Sequence, residues 1–439
     1  MFSIVLFVLL STVPTASEAL QAMLSDNPFP TEQQAVLVEY GDSFVLPEST
    51  DLAKYAILRQ FHRMAFQVEA EQIDLLAEYI AANWEALDTE TRNLWREFAG
   101  RTGLEVPVDV VTAENLTSIL RYCAESGAEA PAVNISELTT LQRLHYVNTL
   151  SGEEVNSFIT DPNWAVRNAV MQKSGTAAFE MYQDPSLYLR MTAAQATGRS
   201  DLLMELASTP GPIGSMALSG VGQLPILEDS LFRSKIPAIR VSSLLALLEL
   251  GWTVPVDRID YLFTDEYPMI GTITADATGR DFEMPPDDNF PYNLPSLQSV
   301  PDQILIVTDA GEFQVTLLKD IAPVTCRSFW YLAESGFYDD IYFHRVIPGF
   351  VAQAGCPEGN GYGGPGYTIP AENNTFAYDR GVIGMADSGM NTGGSQFFIM
   401  LDSQRRLDCR YTVFADIEDA HLIDDIEVGT KILGISLVD

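Results

Sequence analysis

Across residues 71–80 the apolar side chains Ile73, Leu76, Ala77 and Ile80 recur at spacings of three and four. That period places them on one stripe of an amphipathic helix. The run Asp88-Thr89-Glu90-Thr91, followed by Leu94, Trp95 and Phe98, predicts a capped second helix ending at Gly100. Residues 135–150 have the same character and predict a third. From Asp161 a degenerate repeat sets in. Asp161-Pro162 leads to Val166-Arg167, Asp184-Pro185 to Leu189-Arg190, and Lys235-Ile236-Pro237 to Ile239-Arg240, with weaker copies at Pro210-Gly211-Pro212-Ile213 and Tyr267-Pro268-Met269-Ile270. The anchors Val166, Leu189, Ile213, Ile239 and Ile270 are 23, 24, 26 and 31 residues apart, and Gly175, Gly198, Gly222 and Gly279 each lie nine residues past an anchor. Each unit reads as a Pro-started helix with a Gly stop, preceded by a shorter helix. A unit of this kind cannot bury its apolar face alone, so the copies must stack as a solenoid.

The pattern changes after residue 281. Pro285, Pro286, Pro291, Pro295 and Pro301 punctuate a stretch with few apolar runs, which predicts a semi-extended linker over 281–301. Beyond it, residues 304–308 and 313–318 alternate or run apolar around Asp309-Ala310-Gly311, a hairpin signal. Residues 322–335 read as a helix, and from Phe343 onward strands alternate with Gly-rich loops. The predicted organisation is multidomain: an export signal over 1–19, a tether over 20–50, an α-helical repeat domain over 51–280, the linker, and a mostly β domain over 302–439.

Composition narrows the partners. The chain has 439 residues, 47% of them hydrophobic, with a net charge of −35. Lys54, Lys173, Lys235, Lys319 and Lys431 are the only lysines. Such a field repels phosphate backbones, which argues against nucleic acid as a partner. Residues 4–10 form a continuous apolar run and Ser17-Glu18-Ala19 offers a small-x-small cleavage site, although no Lys or Arg precedes the run. It is too short to span a bilayer, which takes about 20 apolar residues. Export therefore implies a periplasmic or extracellular protein with no stable membrane span. The cysteines Cys123, Cys326, Cys356 and Cys409 are too few for a disulfide framework. Buried free thiols are expected, with Cys356 and Cys409 the pair to test in an exported protein.

The chemistry concentrates between Phe343 and Phe414. Phe343-His344-Arg345-Val346-Ile347-Pro348-Gly349-Phe350-Val351-Ala352-Gln353 is followed by Gly384-Met385-Ala386-Asp387-Ser388-Gly389, then Gly393-Gly394-Ser395-Gln396-Phe397-Phe398, then Leu407-Asp408-Cys409-Arg410-Tyr411-Thr412-Val413-Phe414. One arginine, apolar and aromatic side chains and glutamines, without an obvious nucleophile or metal cluster, suit the binding and twisting of an uncharged peptide. Bond cleavage is a poorer match, and no cofactor is expected. His344 is expected to be structural, and Glu358, Glu372, Asp424 and Asp425 to be solvated surface.

These motifs, in this order, resemble the cyclophilins, a family of peptidyl-prolyl cis-trans isomerases, over residues 301–439. The resemblance implies a closed eight-stranded antiparallel barrel with two capping helices, and proline-containing polypeptides as substrates. It implies that Arg345 is the catalytic donor, with Gln353 helping to orient it. Phe350, Val351, Phe398 and Leu407 match the apolar wall of a proline pocket. Ala386, Asp387 and Ser388 match the stretch whose backbone pairs with an extended substrate, and Gln396 lines the same groove. Three positions depart from the family's pattern: Arg406 stands where a ring is common, Tyr411 where His is common, and Cys409 where Gly is usual. If that last turn needs a positive φ, Cys409 is strained there. The Asp-Pro…Val-Arg repeats are similar to HEAT-type repeats, which implies a surface for a protein partner. The expected function is isomerisation of X-Pro bonds in exported proteins. The alternative is a scaffold that binds Pro-containing segments without catalysis.

Overall fold

The computed structural model describes residues 70–107, 110–220, 256–264 and 294–438, with scattered positions between 240 and 281. The expected export signal, the tether, most of the linker and the repeat copies anchored at Ile239 and Ile270 lie outside the described residues. Two compact units emerge, one comprising residues up to Leu150 together with Gln404–Arg410, the other Ser151–Ser403 with Tyr411–Asp439.

The first unit contains helices α1 (Ala70–Asn83), α2 (Thr89–Thr102), α3 (Leu116–Ser126) and α4 (Thr140–Thr149). Asp88 caps α2 by accepting from the Thr91 amide at 2.7 Å, and Gly103 ends it at φ 72°, one turn-segment beyond the expected Gly100. The helix expected over 135–150 is broken. Thr139 and Gln142 form a capping box that starts α4 afresh, leaving a 3-10 turn at Ile135–Glu137. Leu94, Trp95 and Phe98 of α2 are buried, as are Leu120 of α3 and Val147 of α4. The Gln404–Arg410 segment is tied to α2: Arg101 donates to the Gln404 side-chain oxygen at 2.6 Å, and the Arg405 amide donates to Glu97 at 3.1 Å.

In the second unit, helices α5 (Trp164–Lys173), α6 (Leu187–Thr197), α7 (Ser200–Leu206) and α8 (Pro212–Gly220) cover the repeats; a further helix, α9, spans Val256–Phe263. Successive copies share one internal geometry. Asp161 accepts from the Asn163 amide and its carbonyl from Arg167; Asp184 accepts from the Ser186 amide and its carbonyl from Arg190, all at 2.6–2.9 Å. Arg167 also grips the Asp184 carboxylate of the next copy through two 2.8 Å hydrogen bonds. The prolines do not start α5 and α6. Asn163 and Ser186 are the N-caps, accepting from Ala165 and Leu189, and each proline stands just before its cap. Among the described repeat copies, Pro212 alone opens a helix itself, as the first residue of α8. Gly198 is a left-handed C-cap at φ 70°, but α5 ends at Lys173 on an extended Ser174, short of Gly175.

The β part is a single antiparallel sheet of β1 (Gln303–Thr308), β2 (Gly311–Leu317), β3 (Arg345–Ile347), β4 (Val351–Ala354), β5 (Val382–Met385), β6 (Phe397–Met400), β7 (Val413–Ile417) and β8 (Ile432–Leu437), in the order β3-β4-β6-β5-β7-β2-β1-β8. β1 and β2 form the expected hairpin, burying alternate residues Ile304, Ile306, Phe313, Val315 and Leu317. The closed barrel expected above is not observed, because no ladder joins edge strands β3 and β8. The sheet curls into an open half-barrel whose ends meet along 340–343 and 429–432, where the Phe343 and Ile432 amides donate to Thr430 and Ile341, and the Asp340 and Gly429 amides to Ile432 and Phe343. Of the two capping helices expected, the described residues of this part show one α-helix, α10 (Pro323–Glu334), accompanied by a 3-10 turn at Ala420–Ile423. Phe329 of α10 meets Tyr338, Phe397 and Phe414 at ring-centroid distances of 4.9, 5.5 and 5.1 Å, filling the concave face. Glu372 is no solvated surface group. It accepts from the Val324 and Thr325 amides at 2.9 and 2.8 Å, placing a carboxylate on the positive end of α10.

One hydrophobic core runs without interruption from Trp164 through Ile213 and the aromatic cluster to Ile432, so α5–α8 pack as part of the β unit. Arg167 and Asp184 are nearly buried inside it. Arg167→Ala leaves the Asp184 carboxylate without its bidentate partner and is expected to cost about 3–5 kcal/mol in a urea titration; a loss below about 1 kcal/mol would show that the pair is solvated.

Candidate functional site

The outward face of the half-barrel is set by strand alternation. Val346, Ala352, Phe397 and Ile399 point into the core, so Arg345, Gln353 and Phe398 project the other way. Ladder register puts these three in one row: Arg345 is opposite Gln353, Gln353 opposite Phe398, and Phe398 opposite Gly384. The last position has to be small. A Cβ at Gly384 would stand 2.5 Å from both the Phe398 ring and the Tyr378 hydroxyl. Phe398 stacks on Tyr378 at 5.6 Å and takes Tyr411 edge-on at 5.6 Å. The result is a fixed aromatic wall beside an exposed guanidinium.

The polar half is a chain of amides. Both Gly361 and Gly363 carbonyls accept from the Gln396 side-chain nitrogen, at 2.7 and 2.8 Å. With that nitrogen committed, the Gln396 oxygen faces outward and accepts from Gln353 at 3.1 Å. The Gln353 oxygen in turn accepts from Arg345 Nη1 at 3.4 Å. Each amide therefore has one orientation open to it, decided by the glycine carbonyls at the far end. Arg345 also lies 6.0 Å from the centre of the Phe350 ring, and its remaining N–H groups have no partner among the described residues. Those donors are available to a bound carbonyl.

Val351, expected in the apolar wall, is buried on β4, while Phe350 is half-buried beside Arg345. In the stretch 386–388 the Ala386 amide is spent on the Gln396 carbonyl at 2.9 Å and the Ser388 amide on Thr392 at 2.8 Å. The Asp387 backbone has no partner among the described residues, so its amide and carbonyl are left for an extended ligand. Burial pushes the Asp387 carboxyl above its ordinary range, while a hydrogen bond from the Gly389 amide at 3.1 Å opposes this. Thus Arg345, Phe350, Gln353, Gln396, Phe398 and Tyr411 are linked by contacts or hydrogen bonds, Val351 shares the outward face of β4 with Gln353, and Asp387 offers open backbone.

Arg406 and Leu407 belong to the Gln404–Arg410 segment of the first unit. Burial lowers the Arg406 pKa, helped by the charges of Arg101, Arg121 and Arg410 and opposed by Glu97. Cys409 in this segment does adopt a left-handed φ, at 60°, without glycine's freedom. All four cysteines are buried and none is in a disulfide, including Cys356 and Cys409. Burial pushes the Cys326 thiol up to about 12. Among the described residues no group of three His, Cys, Asp or Glu side chains is placed to hold a metal ion.

Two features of the site escaped sequence reasoning: Gly384 is required by Phe398, and Tyr378 supplies the stacking partner. His344, expected to be structural, has two buried ring nitrogens with no hydrogen-bond partner. Burial, then the neighbouring Arg345 charge, lowers its pKa to about 4, so it is neutral behind the guanidinium.

Known proteins give an independent comparison. The family model described as cyclophilin type peptidyl-prolyl cis-trans isomerase/CLD matches residues 303–432. A peptidyl-prolyl cis-trans isomerase of Synechococcus elongatus is 42% identical over 139 residues, which is 31% of this chain and 96% of that protein. Peptidyl-prolyl cis-trans isomerase B of Bacillus subtilis is 46% identical over 114 residues, 26% of this chain and 80% of that protein. A crystal structure of a cyclophilin type isomerase from Cryptosporidium parvum is 30% identical, with a TM-score of 0.30, covering 31% of this chain and 98% of that one.

The buried neutral imidazole has a measurable signature. The unfolded chain takes up a proton at His344 near pH 6.5, whereas the folded chain resists until about pH 4. Stability from this residue is thus full above pH 6.5 and is lost as pH falls towards 4, by about 3 kcal/mol. His344→Leu is expected to flatten the stability–pH curve in that window; an unchanged slope in denaturant titrations would refute it.

Proposed function

Because this chain belongs, through residues 303–432, to the cyclophilin-type peptidyl-prolyl cis-trans isomerases, we propose that it turns X-Pro bonds in proteins outside the cytoplasm, with Arg345 as the catalytic donor. Rotation about a peptide C–N bond faces a barrier of about 18–20 kcal/mol because resonance stiffens it. Both isomers of an X-Pro bond are populated, so their slow exchange can limit folding. No bond is made or broken. The enzyme has only to bind the twisted amide better than either planar form. As conjugation is lost, the proline nitrogen becomes more basic and the carbonyl becomes an ordinary ketone-like acceptor. A guanidinium with open N–H groups meets both demands, since it stays charged and presents several donors in a fixed plane. The aromatic wall of Phe350 and Phe398 receives the proline ring. A barrier lowered by about 7 kcal/mol accelerates rotation by about five orders of magnitude.

The observation that carries this reading is the amide chain that holds Arg345 beside that wall with donors to spare. The helices α5–α8 read as part of a HEAT-like solenoid that binds a protein partner, supported by the Asp–Arg geometry shared by two successive copies. Export rests on the apolar run of residues 4–10 and the Ser17-Glu18-Ala19 site.

On a short Ala-Pro peptide, measured by protease-coupled assay or NMR exchange, Arg345→Ala is expected to lower kcat/KM by about a hundredfold or more while near-UV circular dichroism stays unchanged. Turnover within threefold of wild type would remove Arg345 from the mechanism. The native protein, sequenced from its amino end, is expected to begin at Leu20; a start at Met1 would overturn export.

A further inference from the structure

We propose that the start of α8, Gly211-Pro212-Ile213, is a brace that positions the active-site guanidinium by holding the two backbone segments that fix it. This rests on the isomerase reading of the barrel and adds a role for the helical repeats within catalysis itself.

The three residues face three different parts of the β unit. Gly211, at φ +83°, lies so close to the Tyr342 ring that an added Cβ would sit 3.0 Å from it. Pro212, buried, has its Cδ 4.0 Å from where a Cβ of Gly359 would be. Ile213 is buried with its Cγ1 3.1 Å from the equivalent point on Gly429. Tyr342 leads directly into the strand carrying Arg345, and Gly429 donates to the Phe343 carbonyl at 2.9 Å. Gly359 belongs to the loop whose Gly361 and Gly363 carbonyls orient Gln396. One end of one helix therefore packs closely on the approach to Arg345 on one side and lies next to the loop that starts the amide chain on the other.

That loop needs outside support. Gly359, Gly361 and Gly366 all have positive φ, between 64° and 86°, and glycines in such conformations lose the most backbone freedom on ordering. Inside the loop, Gly363 donates to the Cys356 sulfur at 3.2 Å and Tyr362 to Asn360 at 2.9 Å. The helices before α8 are anchored to the β unit. Trp164 Nε1 donates to the Ile426 carbonyl at 3.1 Å, Asn163 to the Asp424 carbonyl at 2.9 Å, and Ser186 to Glu427. These bonds place the acidic segment 424–427 at the N-terminal ends of α5 and α6, where negative charge is favoured.

A slackened loop lets Gln396, then Gln353, then Arg345 leave the geometry suited to the twisted amide. The apolar wall that binds the planar peptide is untouched. The loss should therefore fall on kcat rather than KM. In the full-length protein, Pro212→Gly is expected to lower kcat by roughly tenfold with KM within twofold, and Ile213→Val to lower it less. In both, the side-chain amide protons of Gln396 should exchange with solvent faster by NMR. If Pro212→Gly does not melt cooperatively, Ile213→Val alone decides. Unchanged kcat and unchanged Gln396 protection in a cooperatively folded variant would overturn the brace. A wild-type protein without turnover would instead overturn the isomerase reading, so the two failures are distinguishable.

Discussion

Everything polar at the site depends on two glycine carbonyls. Gly361 and Gly363 both accept from one nitrogen of Gln396, which leaves that amide a single orientation. The choice is passed to Gln353 and ends at Arg345. Hydrogen-bond direction does here what packing does in the core. Because an amide donates at one end and accepts at the other, reversing any member would set donor against donor or acceptor against acceptor. An exposed arginine on a short edge strand would otherwise sample many rotamers, and holding it costs side-chain entropy that this chain of bonds offsets.

The apolar half follows a different logic. Phe397 and Phe398 are adjacent on β6 and both buried, yet they serve opposite faces of the sheet. Phe397 closes the concave core against Phe329, Tyr338 and Phe343, and Phe398 builds the outer wall with Tyr378 and Tyr411. The same strand thus fixes the fold and the site together. Gly384, opposite Phe398, is the gap that allows this.

Much of this was legible before any coordinates. The hairpin about Asp309-Ala310-Gly311 and the helix after Ala322 follow from alternation and from proline at a helix start. The site residues came from motif order rather than from periodicity. What could not be read depended on contacts distant in sequence. The break at Thr139 hinges on Gln142 reaching back, a choice that helical period alone does not make. Pro162 and Pro185 looked like helix starts because the caps that follow them, Asn163 and Ser186, also suit loops. Glu372 looked solvated because its partners, Val324 and Thr325, lie more than forty residues away. Sheet closure rests on which strand edges meet, and local pattern carries no information about that.

The groove contains no residue that must gain or lose a proton during a turnover. Its donor is a guanidinium, its supports are carboxamides, and the imidazole behind them stays neutral until the medium is strongly acidic. The orientation of Arg345 therefore rests on carboxamides, and acidity reaches it by way of the imidazole packed behind it.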